Sequence, residues 1–132
     1  MDFEHIYKLA SEIRKKAYAP YSNFLVGSCL VSDVGTHIGA NVENASYGCG
    51  VCAEASAISN MISSGGRQIK MICISGEADA PVTPCGNCRQ KIREFSTPET
   101  EIHIVDGNGN LTLKTNIKEL LPHSFGPEYL KG

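Results

Sequence analysis

The sequence lacks three features that would assign the chain to a special class of protein. No stretch approaches the ~20 consecutive apolar residues that are needed to cross a bilayer. No dense block of Lys and Arg stands out in a chain whose formal net charge is −2, and internal repeats and low-complexity tracts are missing. We therefore expect neither a membrane protein nor a protein that binds a nucleic-acid backbone, because the latter would carry a basic stripe.

A secretory signal is also lacking at the start of the chain. Residues 1–5 are acidic and polar, whereas a signal peptide would begin with basic residues and an apolar stretch. We therefore expect a cytoplasmic protein. The chain has 132 residues, with 42% hydrophobic and 20% charged side chains. This length and composition predict one globular domain over residues 1–132.

Six cysteines are present, at positions 29, 49, 52, 73, 85 and 88. In a reducing compartment, metal binding or simple burial explains them better than three disulfides do. Cys29 and Cys73 lie inside apolar, strand-like runs. We expect both to be buried and chemically inert.

Hydrophobic periodicity predicts strands that alternate with helices. Helical spacing marks a first amphipathic helix over 3–17, and later helices over 52–62, 85–95 and 117–121. Short apolar runs bounded by turn residues predict strands over 26–31, 36–41, 71–75, 102–105 and 111–115. This alternation indicates an α/β sandwich with a mixed sheet.

Two short motifs carry the chemistry. Residues 52–54 read Cys-Ala-Glu and residues 84–88 read Pro-Cys-Gly-Asn-Cys, a pattern that resembles the signature of zinc-dependent deaminases. Together they offer three thiolates, Cys52, Cys85 and Cys88, and one carboxylate, Glu54. A structural zinc is closed by four protein ligands, whereas a catalytic zinc keeps one position for water. The pattern therefore predicts a catalytic zinc whose water exchanges protons with Glu54.

The predicted helices place these cysteines in first turns, Cys52 in one helix and Cys85 and Cys88 in another. The unpaired N–H groups and the positive dipole end there favour thiolate over thiol. Glu54 is two positions from Cys52, so the two side chains would lie on different faces of a helix. We therefore expect the metal to lie beyond the N-terminal end of that helix.

A closed site of four cysteines is the alternative, because Cys49 makes a second Cys-x-x-Cys pair with Cys52. Zinc ribbons separate such pairs by about 15 to 20 residues. Here the 32 positions 53–84 lie between Cys52 and Cys85 and are filled by a predicted helix and strand. Such a site would also leave Glu54 without a role, so the catalytic interpretation is favoured.

Three further segments extend the pattern over nearly the whole chain. They are Ala-Tyr-Ala-Pro-Tyr-Ser-Asn-Phe at 17–24, Asn-Val-Glu-Asn-Ala-Ser-Tyr-Gly at 41–48 and Cys-Arg-Gln at 88–90. With the two cysteine motifs they resemble the small homotetrameric cytidine deaminases. The resemblance implies a three-layer α/β sandwich with a five-stranded mixed sheet flanked by helices. It also implies one zinc per subunit and active sites completed by neighbouring subunits.

The resemblance implies roles for individual residues. Cys52, Cys85 and Cys88 would hold zinc, and Glu54 would move protons. The substrate-binding positions that it implies are Asn41 and Glu43 for the ribose hydroxyls, Phe24 against the pyrimidine or the sugar, and Ala45, Tyr47 and Phe125 towards an adjacent subunit's site. Backbone N–H groups near Ala53, at a helix N-terminus, could bind the pyrimidine carbonyl oxygen.

One position departs from the family pattern. Many relatives with three cysteine ligands have Arg directly after the catalytic Glu, where it donates hydrogen bonds to the thiolates, but this chain has Ala55. Helix N-termini or another cation, such as Arg89, could compensate. If neither compensates, we expect a lower turnover, or a more alkaline pH optimum, than in the relatives that carry Arg.

The expected activity is hydrolytic deamination of cytidine and 2′-deoxycytidine to the uridines and ammonia, for pyrimidine salvage. A related deaminase acting on nucleoside antibiotics is the nearest alternative. Deamination of bases in RNA or DNA is disfavoured by the charge balance, so we expect no nucleic-acid partner. The non-enzymatic alternative is a binding module that zinc stabilises, and it would require four cysteine ligands.

Overall fold

Four helices and five strands alternate along residues 1–130, the part of the chain that this computed structural model describes. The end of the predicted domain, residues 131–132, lies outside the described residues. In chain order the elements are α1 (Phe3–Arg14), β1 (Val26–Ser32), β2 (Gly35–Ala40), α2 (Ala53–Ser63), β3 (Ile69–Gly76), α3 (Gly86–Glu94), β4 (Glu101–Val105), β5 (Leu111–Asn116) and α4 (Ile117–Leu120). None of these described helices has the length and apolar character that a membrane span requires.

The five strands form one mixed sheet in the order β2-β1-β3-β4-β5. Strands β3 and β4 are parallel, and the other neighbouring pairs are antiparallel. The crossover from β3 to β4 contains α3, as a parallel connection requires. The mixed five-stranded sheet that the sequence predicts is confirmed.

Helices cover both faces of the sheet and make three layers. On one face, α1 packs Ile6 and Ala10 against Cys29, Cys73 and neighbouring side chains. On the other face, α2, α3 and α4 pack against the remaining inward residues of the strands, among them Leu30, Ile72, Ile74, Ile102 and Ile104. Because both faces of β3 are buried, that strand reads as a continuous apolar run instead of an alternating one.

The two thiols in the sheet are buried, as the sequence predicts. Cys29 and Cys73 are both 0% exposed and lie opposite each other on β1 and β3. Burial raises the pKa of Cys29 to about 12 and also raises the pKa of Cys73. Both thiols therefore stay protonated at neutral pH and are poor metal ligands.

A close approach of α2 to β2 fixes the position of the site helix. A Cβ at Gly39 would lie 2.4 Å from the backbone nitrogen of Ala57 and 2.8 Å from the carbonyl oxygen of Ala53. The Ser56 hydroxyl also donates to the Ala40 carbonyl at 3.1 Å. The start of α2 is thereby held beside the end of β2.

The first helix ends at Arg14, three residues before the predicted end at position 17. Tyr18 instead joins the segment after β2: its N–H donates to Asn41 at 2.9 Å, and its carbonyl accepts from Glu43 at 2.7 Å. Val42 also exchanges backbone hydrogen bonds with Val51. These bridges hold the segment after β2 next to the start of α2.

Candidate metal centre and active-site cavity

Two helix N-termini bring the predicted metal ligands together. Cys52 is the N-cap residue of α2, Cys85 is the N-cap residue of α3, and Cys88 lies in the first turn of α3. Cys52 and Cys85 thus precede their helices by one residue instead of lying in the first turns. Neither side chain caps its helix with a hydrogen bond. Both helices therefore direct their positive ends towards the cysteines.

Three side chains converge between these helices. The sulfurs of Cys52 and Cys88 and a carboxylate oxygen of Glu54 all lie within 4.8 Å of one another. Cys88 is 0% exposed, and Glu54 is 4% exposed. A buried carboxylate next to two sulfurs, at the N-terminal end of α2, is the arrangement that the motif spacing predicts.

The structure joins Cys52 and Cys88 by a disulfide, which the sequence analysis did not favour. Proximity explains it, since both sulfurs are directed to the same point. The Cα atoms are 7.5 Å apart, beyond the usual disulfide range of about 4.4–6.8 Å. Two thiolates at ~2.3 Å from one zinc can span this wider separation. The donor set, once reduced, therefore fits zinc.

Cys85 lies near this cluster but is not part of it. Its side chain is exposed and lines the cavity that also contains Cys52 and Glu54. Arg89 holds the loop that precedes Cys85. It donates from Nε to the Pro84 carbonyl at 2.7 Å and from Nη2 to Thr83 Oγ1 at 3.2 Å. Cys85 is thus the third sulfur available to a metal in this cavity.

These contacts also show whether Arg89 can replace the Arg that position 55 lacks, as a cation beside the thiolates. Its Nη1 donates to the Leu120 carbonyl at 2.8 Å, so Nε, Nη1 and Nη2 are all engaged with the loop and with α4. Arg89 therefore positions the segment that carries Cys85. It does not occupy the place of an Arg that donates to the thiolates.

Cys49, the fourth ligand of the alternative site, lies apart. It ends a short 3-10 turn, Tyr47–Cys49, and is exposed with a free thiol. Among residues 1–130, it does not join the group that could hold a metal. The arrangement of the described residues therefore favours a centre with an open position over a closed site of four cysteines.

Glu54 is set apart from the other carboxylates by its environment. Burial raises the pKa of its carboxyl, while its own backbone N–H and the charge of Lys91 act in the opposite direction. A raised pKa makes a carboxylate a better proton acceptor near neutral pH. The position and the environment of Glu54 both suit a group that moves protons.

A cavity of about 380 Å³ opens beside the cluster, a size that suits a small molecule. It is lined by predicted site residues from both motifs, from the loop between α1 and β1 and from the segment after β2, which are Phe24, Asn41, Glu43, Tyr47, Cys52, Ala53, Glu54 and Cys85. Val26, Val42, Val51, Ile74 and Val82 add apolar walls. The structure thus places most of the predicted substrate-binding residues around one space.

Asn41 and Glu43 hold the loop between α1 and β1. The Asn41 amide accepts from the Val26 N–H at 2.8 Å and donates to the Phe24 carbonyl at 2.9 Å. Glu43 accepts from the N–H groups of Tyr21 and Ser22 and from the Ser22 hydroxyl. These bonds lower the pKa of Glu43, with the Ser22 hydroxyl contributing most. Both residues line the cavity, and each side chain has donor or acceptor capacity beyond these bonds.

Two predicted residues lie away from this cavity. Ala45 and Phe125 are exposed, and neither lines it; the Phe125 ring stacks on Tyr129 at a centroid distance of 5.2 Å. Ser22 is the residue that sequence reasoning missed as a partner of Glu43. Its place in a run of turn residues gave no sign of a contact 21 positions along the chain.

Comparisons with known proteins agree with this site. Residues 2–104 match the family model described as the cytidine and deoxycytidylate deaminase zinc-binding region. A cytidine deaminase from Sporosarcina psychrophila is 36% identical over 98% of this chain and 96% of that protein. One from Halalkalibacterium halodurans is 39% identical over 97% of each chain.

A solved structure extends the likeness to three dimensions. The crystal structure of cytidine deaminase from Burkholderia pseudomallei superposes with a TM-score of 0.88 at 40% identity, covering 95% of this chain and all of that one. The family match contains both cysteine motifs, and the donor set fits zinc. This chain therefore belongs to the cytidine and deoxycytidylate deaminase family, and zinc is its cofactor.

Proposed function

We propose that this protein deaminates cytidine and 2′-deoxycytidine hydrolytically, giving uridine or 2′-deoxyuridine and ammonia. The observation that carries the proposal is the buried Glu54 carboxylate beside the sulfurs of Cys52 and Cys88, at the edge of a cavity of nucleoside size. Relatives at 36% and 39% identity over nearly their whole length are cytidine deaminases. The domain over residues 1–132 would carry the whole activity.

The composition of the cavity favours a nucleoside over a nucleotide. Within residues 1–130, neither this cavity nor the adjoining one, lined by Tyr21, Ser22 and Glu43 among others, contains a Lys or Arg. Phosphate recognition usually relies on those cations. A carboxylate at Glu43 would repel a phosphate and can instead accept hydrogen bonds from sugar hydroxyls.

Cys52, Cys85 and Cys88 would hold the metal. Cys85 must turn inwards from the cavity wall to do so, and the helix N-termini stabilise all three sulfurs as thiolates. When bound, zinc supplies a water that is acidic enough to act as a nucleophile near neutral pH. Among residues 1–130, no fourth thiol joins this group, since Cys49 lies apart.

Glu54 would carry the protons of the reaction. It accepts one proton from the attacking water and gives it to N3 of the pyrimidine while the C4–O bond forms. It then passes the second proton of that water to the amino group, and the C4–N bond breaks to release ammonia. The first N–H groups of α2, which the Cys52 side chain does not cap, can hold the pyrimidine carbonyl oxygen near Ala53.

Phe24, Asn41 and Glu43 would orient the nucleoside. The Phe24 ring, 41% exposed at the cavity wall, offers an apolar surface to the pyrimidine or the sugar. Asn41 and Glu43 are held by the backbone of the loop between α1 and β1. Groups fixed in this way bind a sugar with little loss of side-chain entropy.

The substrate assignment is tested by replacing Glu43 with Gln and measuring kcat/KM for cytidine, cytosine and 2′-deoxycytidine 5′-phosphate. We expect kcat/KM for cytidine to fall about 10- to 100-fold, because a hydrogen bond to a charged group is lost. We expect a low rate with cytosine, and this rate should change little in the variant, since cytosine has no sugar. The phosphate ester should be a poor substrate of the unaltered protein.

A Ser22→Ala variant is the matched control, because it weakens the hold on the loop and leaves the Glu43 carboxylate in place. We expect it to keep most of its kcat/KM for cytidine. Equal losses with cytidine in both variants would mean that Glu43 only supports the loop. Faster turnover of a nucleoside antibiotic than of cytidine would redirect the substrate assignment.

A homotetramer with shared active sites would give Ala45, Tyr47 and Phe125 their predicted roles. All three are exposed, with Tyr47 83% and Phe125 56% exposed, which suits contact with another subunit. For a chain of 14.2 kDa, light scattering should give a mass about four times that value. A monomeric mass in a protein with full activity would contradict shared active sites.

The proposed place of action is the cytoplasm, in pyrimidine salvage. Thiolate ligands need reducing conditions to remain free for the metal. No nucleic-acid or membrane partner is proposed, because the chain has a formal net charge of −2 and its described helices include no membrane span.

A further inference from the structure

One side chain, that of Arg89, joins the loop before Cys85 to two helices. Arg89 lies on α3 and is half-buried. Towards the loop, its Nε donates to the Pro84 carbonyl at 2.7 Å and its Nη2 donates to Thr83 Oγ1 at 3.2 Å. In the other direction, its Nη1 donates to the carbonyl of Leu120, the last residue of α4, at 2.8 Å. The loop is thus tied to α4 as well as to α3.

The end of α4 is a firm point of attachment. Ile117, the first residue of α4, is 1% exposed in the hydrophobic core, and Leu120 packs against the same core. The last carbonyls of a helix have no partner within the helix, so the Leu120 carbonyl can accept from Arg89. The guanidinium therefore connects the loop before Cys85 to a part of the chain that the core holds in place.

The loop between β3 and α3 depends on such attachments. Its described residues form neither helix nor strand, and Pro81 and Pro84 have no backbone N–H to donate. One attachment is Val82, which packs so closely on β3 that a Cβ at Gly76 would lie 2.9 Å from its side chain. The guanidinium supplies an attachment next to the metal ligand, since Pro84 directly precedes Cys85.

The shape of the guanidinium suits this task better than a positive charge alone would. Its three nitrogens donate to three separate oxygens, two of them carbonyls and one a hydroxyl. Arg presents its donors in a rigid planar fork, whereas Lys carries all of its donors on one nitrogen at the end of a flexible stem. A Lys at position 89 would keep the charge but could not hold the loop and α4 together.

We propose that Arg89 is a positioning residue for the metal ligand Cys85, and that its bonds to the preceding loop and to α4 determine how firmly the protein holds zinc. The inference rests on the proposed function only in taking Cys85 as a ligand. Cys85 is exposed at the cavity wall, whereas Cys88 lies within α3 and is 0% exposed. The Cys85 sulfur is therefore the one whose place depends on how the loop is held.

The test measures the rate at which reduced, zinc-loaded protein loses zinc to a chromogenic chelator. Arg89→Met should release zinc about 10- to 100-fold faster than the unaltered protein, the usual effect of removing a group that orients a metal ligand. Arg89→Lys keeps the charge but should release zinc nearly as fast as Arg89→Met. Thr83→Val removes only the contact at 3.2 Å and should give a smaller increase.

Arg93→Met is the matched control, because Arg93 is also a half-buried arginine of α3, one turn further along. Its guanidinium bonds to Ser124 and Glu128, in the segment after α4. This variant loses an arginine and its hydrogen bonds from the same helix, but it leaves the bonds to the loop before Cys85 in place. The rate of zinc release should therefore be unchanged.

A measurement at individual cysteines separates a role at Cys85 from a general loosening of the fold. Reduced, zinc-loaded protein is treated with iodoacetamide, and the modified cysteines are identified by mass spectrometry. In Arg89→Met, the rate of modification should rise more at Cys85 than at Cys88. The exposed Cys49 should react alike in both proteins and serves as the reference. Equal relative increases at Cys85 and Cys88 would contradict a role that acts through Cys85.

Zinc release from Arg89→Met at the original rate would overturn the inference, as would slow release from Arg89→Lys, because a charge alone would then be enough. If Arg89→Met does not fold, original release rates in both Arg89→Lys and Thr83→Val would overturn it. Turnover of cytidine by the unaltered protein is measured on the same sample. If cytidine is deaminated while the series at position 89 is flat, the inference fails and the proposed function stands. If cytidine is not deaminated while zinc release follows the loss of these hydrogen bonds, the proposed function fails and the role of Arg89 stands.

Discussion

Replacing Glu54 with Gln is expected to lower the turnover of cytidine by about 10²- to 10⁴-fold while zinc stays bound, since this is the usual contribution of a positioned proton carrier. Gln preserves the size of the side chain but cannot accept and return a proton. The thiol ligands are untouched, so zinc content measured by atomic absorption should equal that of the unaltered protein.

The thermal stability of this variant provides a second readout. Burial raises the pKa of Glu54, which means that the fold disfavours its charged form. A neutral amide should therefore keep or raise the melting temperature. Glu99→Gln, on the exposed turn before β4, is the matched control and should change neither turnover nor zinc content. Turnover within tenfold of the original in Glu54→Gln would remove Glu54 from its assigned role.

Replacing Cys52, Cys85 or Cys88 with Ser is expected to abolish stable zinc binding and, with it, activity. Each substitution leaves two thiolates where a stable site needs three protein ligands, and a hydroxyl is a poor ligand in place of a thiolate. Zinc content should fall from about one per chain to a small fraction. The measurement is zinc analysis of protein purified under reducing conditions, alongside cytidine turnover.

Cys49→Ser is the matched control for these three substitutions, because Cys49 is also close to the site in sequence and exposed. It should keep both zinc and turnover. Loss of zinc from Cys49→Ser would favour a closed site of four cysteines. Retention of zinc in Cys85→Ser would mean that the exposed side chain at the cavity wall does not turn inwards.

Much of the fold was predictable because its elements have clear boundaries in the sequence. The glycines and prolines that flank the apolar runs place the helices and strands to within a few residues. The end of α1 was missed because Tyr18 pairs with the backbone of residues 41 and 43, a long-range contact that no local pattern reveals. Periodicity alone could not give the strand order β2-β1-β3-β4-β5, because the pairing of strands is a long-range contact.

The candidate site was predictable where chemistry and spacing are local. Cys52, Glu54 and Cys88 come together as their two motifs predict. The use of Asn41 and Glu43 to hold the loop between α1 and β1 was not predictable. These contacts depend on how separate segments pack, and the residues involved are common on protein surfaces.

The central claim is that three sulfurs hold zinc and leave one position for a lighter ligand. Zinc-edge X-ray absorption on the reduced, zinc-loaded protein counts these ligands directly. The account predicts three sulfur neighbours at ~2.3 Å and one oxygen or nitrogen neighbour at ~2.0 Å. Four sulfur neighbours would contradict it, because no position would then remain for water beside Glu54.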